Sequence, residues 1–378
     1  MKTRVLVLGA GFGGLELATT LSERLGDEIE VTVIDRGEGF AFGFSKLELM
    51  FGRAGRPEVT IPYEELSHPG VRFLREEVTA IDPEGRSATS ASGVHEADYL
   101  VVALGADYDF ASTPGLAEDG NEFYSFAGAA RAAVAISAFE GGRVLIGVCG
   151  APFKCPPAPS EAALLMHDEL TGRGIREQSE IAIAMPLSKP VPPSPDTSEA
   201  LLSAFEERGI SFHGGVRIAS LDLERSQAVL EEGEPIPYDL FLGVPKHRAP
   251  DVVIESGMAV DGYVPVDSRT LQTSFEGVYA VGDVATVGVP KAGVFAEGQA
   301  RAVAEALLAR IEGGDDAPGY AGTGSCYIEF GRGEVGRVDV DFLSGPTPTG
   351  TFRAPSEEIV AEKRAFGTSR RARWFGSA

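Results

Sequence analysis

Long apolar runs, cysteines and positive charge are all scarce in this sequence. No apolar stretch approaches the ~20 residues that a membrane-spanning helix needs. Three cysteines are too few for a framework of structural disulfides, and no Cys/His cluster has the spacing of metal ligands, so we expect no metal site. The 56 acidic residues outnumber the 33 basic ones and give a formal net charge of −23. Such a surface repels nucleic acid and anionic lipid, which excludes both as general partners.

A basic segment at the carboxyl end departs from this acidic composition. Residues 363–378 contain five lysines and arginines and no acid. The segment is either a solvated helix or a docking patch for an acidic partner or a membrane surface. Because the first apolar strand begins at Arg4, we expect no export signal and a cytoplasmic protein, with membrane association as the second option.

The chain begins with the pattern of a strand, a helix and a second strand. Residues 4–8 form a continuous apolar run, which is typical of a strand buried on both faces of a parallel sheet. A helical pattern over residues 15–25 and a second apolar strand over 29–34 follow. Together they predict a βαβ unit.

A glycine-rich turn joins the first strand to this helix. Gly9, Gly11 and Gly14 permit a tight turn, close approach of a pyrophosphate to the backbone, and close packing of helix on strand. The unpaired N–H groups at the start of the helix favour phosphate. Asp35 ends the second strand, where an acid accepts hydrogen bonds from a ribose. These residues predict a dinucleotide site.

Alternation of apolar strands with helical segments continues along most of the chain and predicts an α/β fold. We expect two Rossmann-like domains, the second inserted in the first, and a small C-terminal domain. The predicted boundaries are 1–107 and 246–320 for the first domain, 108–245 for the second, and 321–378 for the C-terminal domain with its basic tail. Further strands are expected at 97–104, 143–147, 180–185, 210–213, 238–242 and 264–281, with helices near 160–171, 197–208 and 293–311.

Two later segments indicate which dinucleotide is bound. The sequence Val-Tyr-Ala-Val-Gly-Asp-Val-Ala at 278–285 resembles the second FAD fingerprint of the two-dinucleotide-binding flavoproteins, the glutathione reductase superfamily. The sequence Val-Val-Ala-Leu-Gly ending at Gly105 resembles the linking motif of the same family. The resemblance implies an FAD cofactor, with Gly282 and Asp283 at its ribityl chain. Lys291, just before the next helix, would add positive charge near the flavin pyrimidine.

The corresponding turn of the second domain lacks the features of a phosphate site. It follows the strand over residues 143–147 but contains Pro152, Pro156 and Pro157, which have no backbone N–H to offer an anion. We therefore expect poor binding of NADH and NADPH. The same loop contains Cys155, which follows Lys154 and precedes a helix. A neighbouring cation and a helix N-terminus both favour a thiolate, so these residues predict a reactive thiol.

The sequence Phe-Lys-Cys-Pro-Pro-Ala-Pro at 153–159 resembles the signature of the flavoprotein subunit of flavocytochrome c sulfide dehydrogenase. It is also similar, less closely, to the sulfide:quinone oxidoreductases. Cys326, in a Cys-Tyr pair, matches the position of that family's second active-site cysteine. The resemblance implies a Cys155–Cys326 disulfide over the flavin, which sulfide opens to form a persulfide before electrons enter the cofactor.

The leading hypothesis is therefore an FAD enzyme that oxidises sulfide or a persulfide and reduces a quinone or a cytochrome-type one-electron carrier. Two alternatives stay open. A type II NADH:quinone oxidoreductase shares the fold but needs the missing phosphate turn, and a flavin redox sensor or electron-transfer module would turn over neither substrate. Cys149 ends a predicted buried strand, where it is a core residue or resolves a mixed disulfide with Cys155.

Overall fold

The computed structural model describes residues 2–314 and 317–376. Strands and helices alternate over residues 3–35 and 142–214, and runs of short strands lie between and after these stretches. The strands are β1 (Thr3–Leu8), β2 (Ile29–Asp35), β3 (Gly39–Phe40), β4 (Ile61–Pro62), β5 (Val71–Arg75), β6 (Ala80–Asp82), β7 (Ser87–Ser90), β8 (Gly93–Glu96), β9 (Tyr99–Val102), β10 (Asp107–Asp109), β11 (Gly142–Val148), β12 (Ser179–Met185), β13 (Ile210–Gly214), β14 (Ile218–Asp222), β15 (Gln227–Leu230), β16 (Ile236–Pro237), β17 (Leu240–Val244), β18 (Lys246–Arg248), β19 (Val264–Pro265), β20 (Val278–Ala280), β21 (Ala285–Thr286), β22 (Thr323–Gly331), β23 (Glu334–Asp341) and β24 (Thr349–Arg353). The helices are α1 (Phe12–Leu25), α2 (Ser45–Met50), α3 (Arg56–Val59), α4 (Leu116–Asp119), α5 (Phe126–Ala138), α6 (Ala158–Gly172), α7 (Pro195–Glu207), α8 (Asp251–Glu255), α9 (Gly293–Ile311) and α10 (Glu357–Phe375).

A five-stranded parallel sheet carries the glycine-rich turn. Its order is β20-β9-β1-β2-β5, and β1 pairs with β2 in a register that places Val5 opposite Val31. The inner strand β1 is buried from Val5 to Leu8, as its continuous apolar run predicts. Helices α1 and α9 pack together beside this sheet. The turns after β1 and β20 therefore open at the same edge.

A second parallel sheet has the order β13-β12-β11-β17. All its strands come from the part of the sequence between β9 and β20 of the first sheet. This interruption confirms the predicted α/β class with one Rossmann-like unit inserted in another. The boundaries themselves stay a prediction, although the two crossing segments meet as an antiparallel ribbon of β10 and β18.

The C-terminal region forms a three-stranded antiparallel sheet, β22-β23-β24, followed by the long helix α10. Strand β24, which the sequence did not predict, lies in a polar, proline-containing stretch and pairs with β23. Strand β22 packs against α6 of the inserted unit and against α9. It therefore brings the C-terminal region to the edge where both parallel sheets end.

Helix α10 contains the basic tail, whose last two residues lie outside the described residues. Its charges are largely used within the chain: Arg370 pairs with Glu297, and Arg373 donates to both Glu16 and Glu23. Lys363 pairs with Glu329 and Arg371 with Glu65. Four of the five basic side chains thus face acids of their own chain, and a docking role for the tail stays a prediction.

Trp374 anchors the end of α10 in the core. It is fully buried, and its indole Nε1 donates to the buried carboxylate of Glu16 on α1 at 2.7 Å. Edge-to-face contacts with Phe12 and Phe40 surround the ring. The C-terminal helix thus closes over the helix that starts at the glycine-rich turn. None of the helices in the described ranges combines the length and apolar character that crossing a bilayer requires.

Candidate active site

The three glycines of the first turn have different steric roles. A Cβ at Gly9, where φ is +102°, would overlap the carbonyl oxygen of Ala103, and one at Gly14 would overlap the carbonyl oxygen of Gly9. A Cβ at Gly11 would meet no protein atom within 4 Å. Gly9 and Gly14 are thus required by the fold of the turn itself. Gly11 faces open space, as expected for a backbone that a pyrophosphate approaches.

Asp35 holds this turn in shape. Its carboxylate accepts the N–H of Ala10 at 2.8 Å and the N–H of Gly37 at 2.7 Å. The Tyr63 hydroxyl donates to the carbonyl of Ala10 from the other side at 2.8 Å. Asp35 also lines the cavity that Gly11 faces, so the same carboxylate borders the predicted ribose position.

A single cavity of about 400 Å³ runs from the phosphate turn to two cysteines. Phe12, Phe40 and Phe44 form part of its apolar wall. The structure brings together most of the residues that the sequence analysis singled out, although Gly9, Gly14 and Lys291 do not line the cavity. The predicted residues in its wall are Gly11, Asp35, Gly105, Lys154, Cys155, Gly282, Asp283 and Cys326.

The segment after β20 contributes the second acid of the cavity. The N–H of Gly282 donates to Oε1 of Gln299 on α9 at 2.6 Å, which fixes the turn before that helix. Burial raises the pKa of Asp283, while Lys154, Lys291 and Lys46 oppose the rise. The N-terminus of α9 begins at Gly293, beside this acid in the cavity wall. Its dipole adds positive potential there.

Lys291 stabilises this segment through hydrogen bonds to its backbone. Its ammonium group donates to the carbonyl oxygens of Asp283 at 2.6 Å and Ala285 at 3.3 Å, and it lies 3.6 Å from the centre of the Tyr263 ring. Burial lowers the pKa of Lys291 to about 8. The side chain is 7% exposed and is directed to backbone carbonyls, and its predicted positive charge near the flavin pyrimidine stays a prediction.

The loop with Cys155 reaches from the inserted unit to the first sheet. The N–H of Cys155 donates to the carbonyl of Lys291 at 2.8 Å, and its own carbonyl accepts the N–H of Ala158 at the start of α6 at 2.9 Å. Cys155 has a φ of +48°, a left-handed conformation that is uncommon for a residue with a side chain. Such conformations concentrate at functional sites, where surrounding contacts maintain them.

Cys155 and Cys326 line this cavity as half-buried free thiols, and Cys149 is also free. The disulfide between the first two thus stays a prediction. Burial raises the pKa of Cys155 well above its usual range, and the charge of Glu161 raises it further. Burial also raises the pKa of Cys326 to about 12.

The expectation of a thiolate favoured by Lys154 is therefore wrong. The Lys154 ammonium group donates instead to the carbonyl of Ala106 at 2.9 Å and to the Tyr108 hydroxyl at 3.1 Å. The groups that do lower the pKa of Cys155 are the N–H of Ala158 and the more distant Lys46, and burial outweighs both.

The turn after β11 is shaped by close packing. A Cβ at Gly150 would lie 2.9 Å from the Cβ of Lys246, so Lys246 packs closely against the turn. Cys149 packs beside Leu145 and Phe241 in a small apolar cluster, in agreement with a core role. Burial raises its pKa to about 12.

Three further polar residues of the cavity were not found from the sequence. Lys46, Tyr124 and Glu161 line it together with the two cysteines. Burial lowers the pKa of Lys46 to about 8 and raises that of Glu161 to about 7. The sequence signal for Glu161 was an acid within the otherwise apolar start of α6. Lys46 has a comparable signal, a single cation after an aromatic-rich stretch.

A second, more open groove of about 710 Å³ lies between α9, α10 and β22. It shares the residues Val294, Ser325, Tyr327 and Phe366 with the cavity. Because successive side chains of a strand point to opposite faces, Ser325 and Tyr327 lie on one face of β22 and Cys326 on the other. One strand therefore separates the groove from the thiols.

The cavity has the features that FAD requires. Open space at Gly11 and the first N–H groups of α1 suit its pyrophosphate, and Asp35 borders the ribose position. Asp283 and the N-terminus of α9 lie at the other end, close to the thiols. The continuity of the cavity from the phosphate turn to the cysteines places the molecule among the flavin-dependent oxidoreductases with two Rossmann-like units.

The chain belongs to the pyridine nucleotide-disulphide oxidoreductase family, which it matches over residues 3–151 and 159–304. It is an FAD-dependent oxidoreductase. The mitochondrial sulfide:quinone oxidoreductase of Mus musculus is 25% identical over 374 residues, which cover 94% of this chain and 82% of the relative.

A solved structure and a second relative are also similar to this chain. The solved structure of the sulfide:quinone oxidoreductase of Aquifex aeolicus shares the fold with a TM-score of 0.86 at 22% identity, over 99% of this chain and 92% of that one. An alternative NAD(P)H-ubiquinone oxidoreductase of Arabidopsis thaliana is 26% identical over 262 residues, covering 62% of this chain and 49% of the relative.

Proposed function

We propose that the protein oxidises sulfide or a persulfide through Cys155 and Cys326 and passes the electrons through FAD to a quinone. The observation that carries this proposal is that the two cysteines, distant in sequence, line one cavity with the residues of the phosphate turn. The relatives named as sulfide:quinone oxidoreductases support the choice of sulfide and quinone.

The proposed reaction begins at a Cys155–Cys326 disulfide. The sulfur of HS⁻ attacks one of the two cysteine sulfurs, so that a new S–S bond forms as the old one breaks. One cysteine becomes a persulfide and the other leaves with the electron pair as a thiolate. No net oxidation has occurred at this stage. When bound, FAD supplies the two-electron acceptor for the sulfurs and the donor for the quinone.

The residues around the sulfurs have distinct proposed tasks. Gly9, Gly11 and Gly14 with Asp35 hold the adenosine pyrophosphate half of FAD, while Gly105, Gly282 and Asp283 border the half with the flavin. Lys154 fixes the Cys155 loop by hydrogen bonds to Ala106 and Tyr108, which lie in the segment that crosses between the two units. The phenyl walls from Phe12 and Phe44 limit water in the cavity.

The quinone is proposed to approach from the groove on the opposite face of β22. Val294 and Tyr327 belong to the walls of both spaces, so an acceptor in the groove lies near the cofactor without displacing sulfide. The ion pair of Arg337 with Glu362 borders the groove and makes its wall polar. A polar wall fits a quinone ring with its two carbonyl oxygens. The cytoplasmic location expected from the sequence stays a prediction.

The competing function is an NAD(P)H-dependent quinone reductase, favoured by the Arabidopsis relative. Two features of the second turn oppose it. Lys246 packs closely against Gly150, and the prolines at 152, 156 and 157 offer no N–H groups to a phosphate.

An anaerobic titration of the FAD-loaded protein with sulfide, NADH and NADPH separates these functions. We expect sulfide to bleach the flavin absorbance stoichiometrically and both nucleotides to bleach it slowly and without saturation. Rapid, saturable bleaching by NADH or NADPH would establish the dehydrogenase function instead. If neither sulfide nor nucleotide reduces the flavin, the protein is a sensor or an electron-transfer module.

A further inference from the structure

Glu161 is a buried acid in the chamber that holds both thiols. It is the fourth residue of α6, is 3% exposed, and lines the cavity with Cys155 and Cys326. Its Oε1 accepts the backbone N–H of Glu329 on β22 at 3.0 Å. Within the described part of the chain, Oε2 makes no hydrogen bond. The carboxyl group is thus held in place through one oxygen and has a second oxygen available.

The surroundings of Glu161 keep its two protonation states close in free energy. Burial raises its pKa to about 7, while the charge of Lys363 on α10 and the N–H of Glu329 counteract the rise, and the charge of Glu329 adds to it. The other titratable groups that face it are Cys155, Cys326 and Tyr124. Near neutral pH, the carboxyl group can therefore both accept and return a proton.

The thiols are electrostatically coupled to this carboxyl group. After burial, the charge of Glu161 is the next cause of the raised pKa of both Cys155 and Cys326. A thiolate therefore forms more easily when Glu161 is neutral than when it is charged. Groups with such coupling share protons and titrate as a unit.

We propose that Glu161 is the proton carrier of the Cys155–Cys326 pair, an inference that rests on the proposed function. In the opening step, H₂S gives one proton to the Glu161 carboxylate, and the sulfur of the resulting HS⁻ bonds to one cysteine. The S–S bond breaks, and the leaving cysteine sulfur, released as a thiolate, takes that proton from Glu161. One S–S bond is lost and one is gained, no electrons leave the sulfurs, and the carboxylate is regenerated.

The most direct test follows the alkylation of the reduced thiols by iodoacetamide against pH. The FAD-loaded protein is used, and modification of Cys155 and Cys326 is quantified by peptide mass spectrometry. In the parent, the alkylation rate should rise tenfold per pH unit below about pH 7 and then level off, because ionised Glu161 suppresses the thiolate. In Glu161→Gln the rate should continue to rise through pH 7 to 9.

Glu169→Gln is the matched control, since Glu169 lies on the same helix but does not line the cavity. Its profile should level off like that of the parent. The profiles are compared over roughly pH 5.5 to 9, a range that lies on both sides of the Glu161 pKa. If the parent and Glu161→Gln profiles run parallel over this range, Glu161 does not share protons with the thiols and the inference is wrong.

Sulfide-driven flavin reduction gives the second readout. Glu161→Gln should slow it by about 10²-fold or more, the range of general acid–base catalysis, without loss of FAD. Reduction at the parent rate in Glu161→Gln would overturn the inference while leaving the proposed function intact. If the parent itself does not react with sulfide, the proposed function fails, and the alkylation profiles still decide whether Glu161 carries the thiol proton.

Discussion

The turn after β1 and the turn after β11 occupy equivalent places in two similar parallel sheets, yet they differ in almost every contact. The first is a short glycine turn, closed by Asp35 and open to a ligand at Gly11. The second is a longer, proline-containing loop that leads to Cys155. The same position in the fold thus offers backbone N–H groups in one unit and a sulfur atom in the other.

The difference shows how the inserted unit contributes a side chain to the cavity of the first unit. The Cys155 loop is bonded to Lys291 of the first unit, and its thiol lines the first unit's cavity. Lys246 packs closely against Gly150 in the second turn. In the proposed function, the inserted unit therefore supplies a thiol to a cofactor that the first unit holds. The predictions below test each side of this comparison.

The largest expected effect is at the first turn, in Gly11→Val. The new side chain meets no protein atom but enters the space of the pyrophosphate, so the protein should fold and yet lose its flavin. The ratio of flavin to protein absorbance, with circular dichroism as the check on folding, measures this. Gly172→Val at the end of α6, also free of neighbours, should keep its flavin. Full flavin loading of Gly11→Val would show that the first turn does not hold the pyrophosphate.

The second prediction concerns the thiols of the cavity. Cys155→Ser and Cys326→Ser should each slow sulfide-driven flavin reduction by several orders of magnitude, because removing either sulfur removes the disulfide, and FAD should stay bound. Stopped-flow absorbance after mixing with sulfide measures the rate. Cys149→Ser is the control, since Cys149 packs in the apolar cluster away from the cavity. Parent rates in either cavity variant would contradict the assigned role of the second loop.

Much of the fold was predictable because the parallel strands are buried on both faces and therefore appear as apolar runs. The βαβ unit over residues 3–35 and helix α9 follow their predicted positions closely. Strand β24 was missed because it is short, contains Gly350 and directly follows a segment with two prolines, and backbone pairing with β23 stabilises it. The ion pairs of α10 were not predictable because their acids come from distant segments.

The candidate site was only partly predictable. Gly11, Asp35 and Asp283 belong to motifs with a fixed local geometry, so the sequence alone located them. The pKa of Cys155 was expected in the wrong direction, because adjacency in sequence to Lys154 does not place the ammonium group beside the sulfur. Glu161 has a local signal as an acid in the apolar start of α6, but its place beside the thiols depends on a contact between α6 and β22 that the sequence does not indicate.

The pairing of Cys155 with Cys326 is the central claim, since it joins the second loop to the first unit's cofactor and underlies the proposed chemistry. Peptide mapping of the aerobically purified protein under non-reducing conditions tests it without any assumption about the substrate. The account predicts one linked peptide pair containing Cys155 and Cys326, with Cys149 free to react with an alkylating reagent. Recovery of both Cys155 and Cys326 as free, alkylated thiols after aerobic purification would contradict it.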